Sequence, residues 1–257
     1  MLTKEKIFRI AMEQSAKDIS SVAEDFMRCE NVFVESKPNK YARKYLELPF
    51  SLQMVSYGNN IVASASKDFL KVAEEYLGKV DVQHAFETPG IHLLSEALRP
   101  LGHKICFMAE YFLPDPERLK PLDCKYQIRE LKSKDFKDLY TEEWSNALCK
   151  KRSHLDVLGM GAYDSDKLVG LAACSADCDT MWQIGIDVLP NYRRMGVASS
   201  LTSRLAIRIL EKGRVPFYCA AWCNIKSVRN AVKSGFSPAW AELTAKPDDF
   251  VNKMITK

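Results

Sequence analysis

The sequence of 257 residues lacks any apolar run of the ~18 residues that a membrane-spanning helix requires. Its N-terminus also lacks the apolar core of a secretory signal, because Lys4, Lys6 and Arg9 place charge in the first turns. These absences argue against a membrane-spanning or exported chain. We therefore expect a cytoplasmic protein that does not bind a membrane.

Metal-binding and disulfide patterns are missing as well. The four histidines are scattered and form neither a metal site nor a catalytic triad, and the eight cysteines include no C-x-x-C pair. Cys174 and Cys178 are four residues apart, about 13 Å in an extended chain, which is too far for two ligands of one zinc. The same holds for Cys219 and Cys223. We expect reduced, mostly buried thiols and no metal.

The chain also lacks a strong net charge. The net charge is only +4, and the Lys and Arg residues form no basic run of the kind that binds nucleic acid. Hydrophobic residues make up 47% and charged residues 27% of the chain, as in ordinary soluble globular proteins. The length suffices for one large or two small domains. We expect no nucleic-acid partner, and a monomer or homodimer.

A proline-rich segment indicates a domain boundary. Three prolines fall within residues 114–121, which precludes a continuous helix or a central strand there. The sequence therefore predicts an N-terminal α/β domain of unknown role at 1–113, a linker at 114–122 and a second domain at 123–257.

Apolar periodicity and turn residues predict alternating helices and strands in the first half. The predicted helices are 4–17, a stretch from Ser20 or Ser21 with a Ser21–Glu24 capping box, 41–46, 67–77 and 91–101. The predicted strands are 32–34, a hairpin of 50–57 with 61–64, 80–86 and 103–112.

The second half alternates in the same way. The predicted strands are 126–131, 157–163, 168–173, 182–188, 215–222 and 236–243. The predicted helices are one capped by Ser133 with Phe136 and Leu139 inward, 142–149, 196–212 and 224–233. This order predicts an α/β (α+β) fold, a mixed sheet with helices on both faces.

The stretch from Trp182 to Lys212 predicts an anion site. It reads as a strand, a tight turn and a long helix that begins at Gly196. The first N–H groups of a helix have no partner within it, and the helix dipole favours negative charge there. Gly196 leaves room for a bulky anion, and Arg193 and Arg194 add forked donors suited to phosphate oxygens. The alternative is an ordinary strand–helix junction with solvated arginines.

The pattern Arg193-x-x-Gly196-x-Ala198, directly after a strand, resembles the acyl-CoA signature of the GNAT superfamily of N-acyltransferases. A second family element, N-x-x-S/A…K-x-G-F, follows the next predicted strand. Its residues here are Asn224, Ser227, Lys233, Gly235 and Phe236. The resemblance covers the predicted second domain, and the layout is similar to two-domain bacterial acetyltransferases of the antibiotic-resistance type. The first half is interpreted as an α/β domain, with a degenerate copy of the same fold as one hypothesis.

The resemblance implies a GNAT fold at 123–257 and acetyl-CoA as co-substrate. It also implies transfer of the acetyl group to a primary amine of a small molecule. The backbone from Ile186 to Val188 is then expected to pair with the pantetheine arm, with the Val188 N–H as oxyanion donor. Asn224 and Ser227 are expected to contact pantetheine or to cap their helix. The residues expected to hold the CoA phosphates are Arg193, Arg194, Met195, Gly196, Val197, Ala198 and Ser199.

The reaction also needs a base that accepts the amine proton. Asp187 is the nearest carboxylate to the predicted carbonyl site, and we predict it as the catalytic residue that binds or deprotonates the amine. The alternative is a structural carboxylate bonded to neighbouring backbone. Glu142 and Glu143 are further candidates, whereas the position of the family's glutamate base is Trp182 here.

The other catalytic role is that of the general acid, which protonates the departing thiolate. The family's usual tyrosine position is Ala231, and the nearest other tyrosines are Tyr218 and Tyr192. A thiol of pKa near 8.5 can still leave with help from water. Two alternatives to the small-molecule acetyltransferase therefore stay open. One is a catalytically weak acyl-CoA-binding sensor or pseudo-enzyme, and the other is a protein N-acetyltransferase with the N-terminal domain as partner module.

Overall fold

The computed structural model describes residues 2–255, which divide into two compact units. One unit contains the described residues up to Ala11 together with Phe112–Pro238. The other contains Met12–Tyr111 and the described residues from Ala239 onward. Within these described residues, no helix combines the length and the hydropathy that crossing a bilayer would take.

Six helices and ten strands are described. The helices are α1 (Lys4–Ile19), α2 (Lys67–Leu77), α3 (Thr88–Leu98), α4 (Val197–Glu211), α5 (Ile225–Lys233) and α6 (Asp248–Ile255). The strands are β1 (Val32–Glu35), β2 (Leu52–Ser56), β3 (Val62–Ala65), β4 (His103–Pro114), β5 (Gln127–Lys132), β6 (Asp156–Asp164), β7 (Lys167–Ser175), β8 (Met181–Val188), β9 (Val215–Ala221) and β10 (Phe236–Pro247).

The unit around Phe112–Pro238 contains the strands β9, β8, β7, β6 and β5 in that spatial order. β8 and β9 are parallel and the remaining neighbours are antiparallel, so the sheet is mixed, as predicted. α4 packs closely on one face, since a Cβ at Gly170 would lie 2.7 Å from Val197 Cγ1. Side chains alternate along a strand, so Leu171 and Ala173 face the opposite side, where they form a small core with Phe136 and other residues.

The other unit is a second α/β arrangement. The predicted hairpin is present as β2 and β3, β1 pairs in parallel with β3, and β10 pairs antiparallel with β2. α2 and α3 supply buried apolar side chains to one core with these strands. The hypothesis of a degenerate copy of the first fold stays a prediction.

Two predicted helices of the site-bearing unit are short 3-10 turns, Ser133–Phe136 and Glu142–Trp144. A helix over 142–149 would need the N–H groups of Asn146 and Ala147 to bond carbonyls one turn earlier. Both donate instead to the Asp187 carboxylate, at 2.9 Å each. The segment therefore does not form the predicted helix, because its N–H groups bond to Asp187, about forty positions later in the chain.

In the first half, the segments 41–46 and 80–86 form turns and bends rather than the predicted helix and strand. The stretch after Ser20 is a 3-10 helix, Ala23–Met27, whose preceding N–H at Val22 donates to Asp25 rather than forming the predicted box with Glu24. These predictions rested on local sequence propensity, whereas the conformation of these segments depends on their tertiary contacts.

The compact units and the predicted domains share a boundary close to Phe112, but they differ at the ends of the chain. β10 continues beyond its predicted end at Leu243 to Pro247 and pairs with β2, and α6 follows it. Residues 239–255 therefore belong to the unit of Met12–Tyr111. The proline-rich segment begins inside β4, which extends to Pro114.

Candidate functional site

The site is a gap between two parallel strands. β8 and β9 pair from Met181 with Val215 to Gln183 with Phe217, and both strands continue beyond these pairs. A cleft of about 1340 Å³ opens between the continuing segments. It is lined by Ile184–Val188 on the β8 side and by Tyr218–Ala221 on the β9 side. Separated strands leave backbone groups that an extended ligand can bond as an added strand.

The cleft leads to the beginning of α4. Gly196 precedes this helix with a left-handed backbone (φ +78°), and a Cβ built on it would meet open space. The N–H groups of the first turn therefore face a region that an anion can enter. The predicted loop residues Gly196, Val197, Ala198 and Ser199 all line the cleft.

The two arginines before the helix occupy different conformations. The Arg193 guanidinium donates through Nε to the Val188 carbonyl at 2.9 Å, which ties the loop to the end of β8. Arg194 holds a left-handed backbone (φ +63°), an uncommon state for a residue with a side chain. Both side chains are exposed and line the cleft. Met195 is 51% exposed, accepts a bond from the Tyr126 hydroxyl and lies outside the cleft lining.

Comparison with protein families decides the family. The family model described as GNAT acetyltransferase matches residues 109–240, which is about half of the chain. The chain belongs to the GNAT acetyltransferase family. No curated protein matches it.

Solved structures of GNAT proteins resemble the chain at low identity. A GCN5-related N-acetyltransferase-like protein from Streptococcus suis is 17% identical (TM-score 0.46), over 72% of this chain and 78% of that one. A GNAT acetyltransferase from Colwellia psychrerythraea is 14% identical (TM-score 0.43), over 56% of this chain and only 57% of that one. The aminoglycoside N-acetyltransferase AAC(6')-Iy, in complex with CoA, is 21% identical (TM-score 0.35), over 47% of this chain and 93% of that one.

The second GNAT element forms the far wall of the cleft. Asn224 caps α5, and its side chain accepts a bond from the Ser227 N–H at 3.3 Å. The Ser227 hydroxyl lies 2.8 Å from the Tyr218 hydroxyl. All three residues line the cleft, whereas Ala231, at the family's tyrosine position, is fully buried. Burial raises the pKa of Tyr218, so its hydroxyl keeps its proton at neutral pH.

Asp187 lines the cleft, but its carboxylate is already engaged. Oδ2 accepts the N–H groups of Asn146 and Ala147, and Oδ1 accepts the Asn146 side-chain amide at 2.7 Å. This geometry is the structural alternative considered for Asp187, a carboxylate bonded to backbone. Glu142 and Glu143 lie on an exposed turn outside the cleft lining.

A turn crosses directly over β8 at Gly185. A Cβ at Gly185 would lie 1.9 Å from the Asn146 carbonyl oxygen, so only glycine permits this crossing. The turn 145–149 thereby becomes a wall of the cleft on the face that carries Gln183 and Asp187. Sequence reasoning predicted this segment as a helix and missed its crossing over β8; the isolated glycine inside a strand was the signal that could have indicated a close backbone approach.

A buried carboxylate stands behind the same wall. Asp156 is 1% exposed and accepts the Ser175 hydroxyl at 2.6 Å, the Tyr140 hydroxyl at 3.2 Å and the Cys149 N–H at 3.1 Å. Ser175 and Cys149 line the cleft. Burial raises the pKa of Asp156, and burial together with the Asp156 charge raises the pKa of Tyr140 to about 12. Sequence reasoning did not single out Asp156 or Ser175.

The other side chains of this wall are the Gln183 amide and the Arg152 guanidinium, which lines the cleft and pairs with the buried Asp177 at 2.6 Å. The Gln183 side-chain amide donates to Cys219 Sγ at 3.0 Å, where β8 and β9 begin to separate. Among the described residues, no group of three or more His, Cys, Asp and Glu side chains has the geometry to hold a metal ion. The arrangement can thus bind an anionic, extended ligand at one end and a polar group at the other.

Proposed function

We propose that the chain transfers an acetyl group from acetyl-CoA to a primary amine of a small molecule. The observation that carries this proposal is the separation of β8 from β9 directly beside the first turn of α4. A pantetheine arm is an extended chain with two amides, so it fits the separated strands. The pyrophosphate of the same molecule fits the N–H groups of Gly196–Ser199 and the guanidinium of Arg194.

In this proposal the amine approaches from the wall formed by the turn 145–149 and Ser175. The neutral amine nitrogen forms a bond to the acetyl carbon, the carbon–sulfur bond breaks and the thiolate departs, and the nitrogen then loses its second proton to solvent. A backbone N–H of β8 between Ile186 and Val188 stabilises the oxyanion; such donors contribute about 3–4 kcal/mol to the transition state. The amine must lose its proton first, which costs roughly 4–5 kcal/mol at pH 7 for an alkylamine.

Two groups in the cleft suit the proton transfers better than Asp187. The Ser175 hydroxyl donates to Asp156, so its lone pairs can accept an amine proton while Asp156 takes the hydroxyl proton. On the other wall, the Tyr218 hydroxyl can donate a hydrogen bond to the departing thiolate. Because the pKa of Tyr218 is raised, we expect it to stabilise the thiolate without giving up its proton.

A thiol-release assay with acetyl-CoA across a panel of primary amines tests the proposal. We expect amine-dependent release of free CoA and a product that has gained one acetyl group by mass spectrometry. Binding of CoA without thiol release from any amine would contradict turnover and support the acyl-CoA sensor instead. The engaged carboxylate of Asp187 and the alanine at 231 are the observations that favour this second candidate.

A further inference from the structure

A second cavity, of about 640 Å³, lies along α5 in the same unit. One side is formed by α5, and the other by the proline-rich segment that the sequence predicted as a linker. Arg229 and Lys233 line both this cavity and the main cleft, so the two adjoin at α5. The lining residues are Glu117, Arg118, Lys120, Val228, Arg229, Val232, Lys233 and Gly235.

The lining carries four cations and one carboxylate. The side chains of Arg118, Lys120, Arg229 and Lys233 are exposed, and none of them has a hydrogen bond or ion pair among the described residues. Arg208, at the far end of α4, is by contrast bonded to two glutamates. Four unpaired like charges around one cavity repel each other, and a bound anion would remove that repulsion.

The segment that brings Arg118 and Lys120 to the cavity is a fixed turn. Asp115 is 8% exposed; its carbonyl accepts the N–H groups of Arg118 and Leu119, and its side chain accepts the Glu117 N–H. The Asp115 N–H donates to the Gly235 carbonyl at 2.9 Å. Gly235 has a positive φ of 93°, and a Cβ there would lie 2.7 Å from Leu119 Cα. The turn is therefore packed against the end of α5.

The cavity also lies next to the first turn of α4. The Ser234 hydroxyl, just after α5, donates to the Ser199 carbonyl at 3.3 Å. The Leu122 carbonyl, just after the fixed turn, accepts the Ser200 hydroxyl at 2.7 Å. Both sides of the cavity are thus attached to the helix end at which the pyrophosphate is proposed to bind. We therefore expect a second phosphate on the same ligand, a few bonds from the pyrophosphate, to lie near the four cations.

We propose that the groove between α5 and the turn 115–120 is a phosphomonoester subsite that binds the 3′-phosphate of CoA. The inference rests on the proposed function and adds a preference for a donor with a terminal phosphate. It gives the proline-rich segment a role in ligand binding, because Arg118 and Lys120 line this subsite and lie outside the lining of the main cleft. Guanidinium groups suit a phosphomonoester through paired N–H donors.

Calorimetric titration of the full chain with CoA and with dephospho-CoA tests the subsite. We expect wild type to bind CoA about tenfold more tightly than dephospho-CoA, because charge-assisted hydrogen bonds to the extra phosphate are lost. The double variant Arg118→Ala/Lys120→Ala should bind the two ligands with nearly equal affinity. Its affinity for dephospho-CoA should stay within about twofold of wild type, since the pyrophosphate and pantetheine contacts are unchanged.

The matched control is Arg214→Ala, which removes one positive charge beyond the other end of α4 and should leave the preference for CoA intact. Equal affinities of wild type for CoA and dephospho-CoA would contradict the proposed subsite. The groove would then be a candidate site for another anion, such as an acidic protein segment. A double variant that weakens both ligands alike would overturn it too. A wild type that binds neither ligand would contradict the proposed function as well, so the two failures are distinguishable.

Discussion

Two of the walls of the cleft are built in different ways. The wall proposed to bind the acyl donor, named the donor wall, runs from Ile186 to Ser199 as one continuous stretch of strand, turn and helix, and it presents backbone groups and guanidinium charges. The acceptor wall combines the turn 145–149 with Ser175 and Gln183, from three separate elements. The donor wall can therefore form from local geometry, whereas the acceptor wall exists only when distant segments pack correctly.

This difference has a functional consequence. A local wall is suited to a ligand that many relatives share, because a short motif reproduces it on any similar sheet. An assembled wall can change with each packing contact, which suits an acceptor that differs between relatives. In this chain a single carboxylate, Asp187, lies on the donor strand and holds the acceptor turn.

The largest expected effect is on the donor wall. Gly196→Val should weaken CoA binding by roughly 100-fold or more, because the side chain fills the approach of the pyrophosphate and removes two or more charge-assisted bonds. Titration calorimetry measures the affinity. The control is Gly213→Val, since Gly213 shares the positive φ (+71°) and open surroundings of Gly196 but follows the end of α4. Unchanged CoA affinity in a folded Gly196→Val protein would contradict the loop assignment.

The next effect concerns the acceptor wall. Gly185→Ala should lower the free energy of unfolding by about 1–3 kcal/mol, because its Cβ would overlap the Asn146 carbonyl. Denaturant unfolding measures this loss. Gly159→Ala on β6 of the same sheet is the graded control, since its closest contact would be 3.0 Å and its loss should be smaller. Equal midpoints for Gly185→Ala and wild type would show that the turn is not fixed on β8.

The two walls also differ in how far the sequence predicted them. The strand, the loop and α4 follow from periodicity and from Arg193 and Gly196, so the donor wall was expected in detail. The turn 145–149 of the acceptor wall was predicted from the local pattern as part of a helix over 142–149. Only the fold brings Asp187 to the N–H groups of Asn146 and Ala147, and that contact outweighs the propensity. The packing of the proline-rich turn on Gly235 could not be predicted from the local sequence pattern either, because it joins residues more than a hundred positions apart.

A smaller effect distinguishes the two roles of Asp187. If it positions the turn, Asp187→Asn should keep turnover within about tenfold of wild type, because the amide oxygen can still accept both backbone N–H groups. Asp187→Ala should lower both the melting temperature and turnover, since those donors lose their partner. The pH–rate profile of Asp187→Asn should keep the shape of the wild-type profile. A loss of 10²–10⁴ with the asparagine variant, partly recovered at high pH, would instead identify Asp187 as the base.

The smallest effect is a pH dependence of stability that comes from Asp156, behind the acceptor wall. Burial raises the pKa of Asp156 above its ordinary value of 3.8, although bonds from Ser175 and Cys149 work in the opposite direction. The folded chain therefore holds this proton over a pH range in which the unfolded chain has lost it. The stability that follows is fully present below pH 3.8 and is lost as the pH rises through the folded-state pKa.

Asp156→Asn removes that titration and leaves the other carboxylates in place. The free energy of unfolding of wild type, minus that of the variant, should therefore fall with rising pH in the acid range and become constant towards neutral pH. Ser175→Ala should enlarge this fall, because it removes a hydrogen bond that favours the ionised carboxylate. A difference that rises with pH would mean that the donors around Asp156 outweigh its burial. The Ser175–Asp156 pair would then hold a carboxylate too weakly basic to take the amine proton, and the acceptor wall would have to rely on solvent.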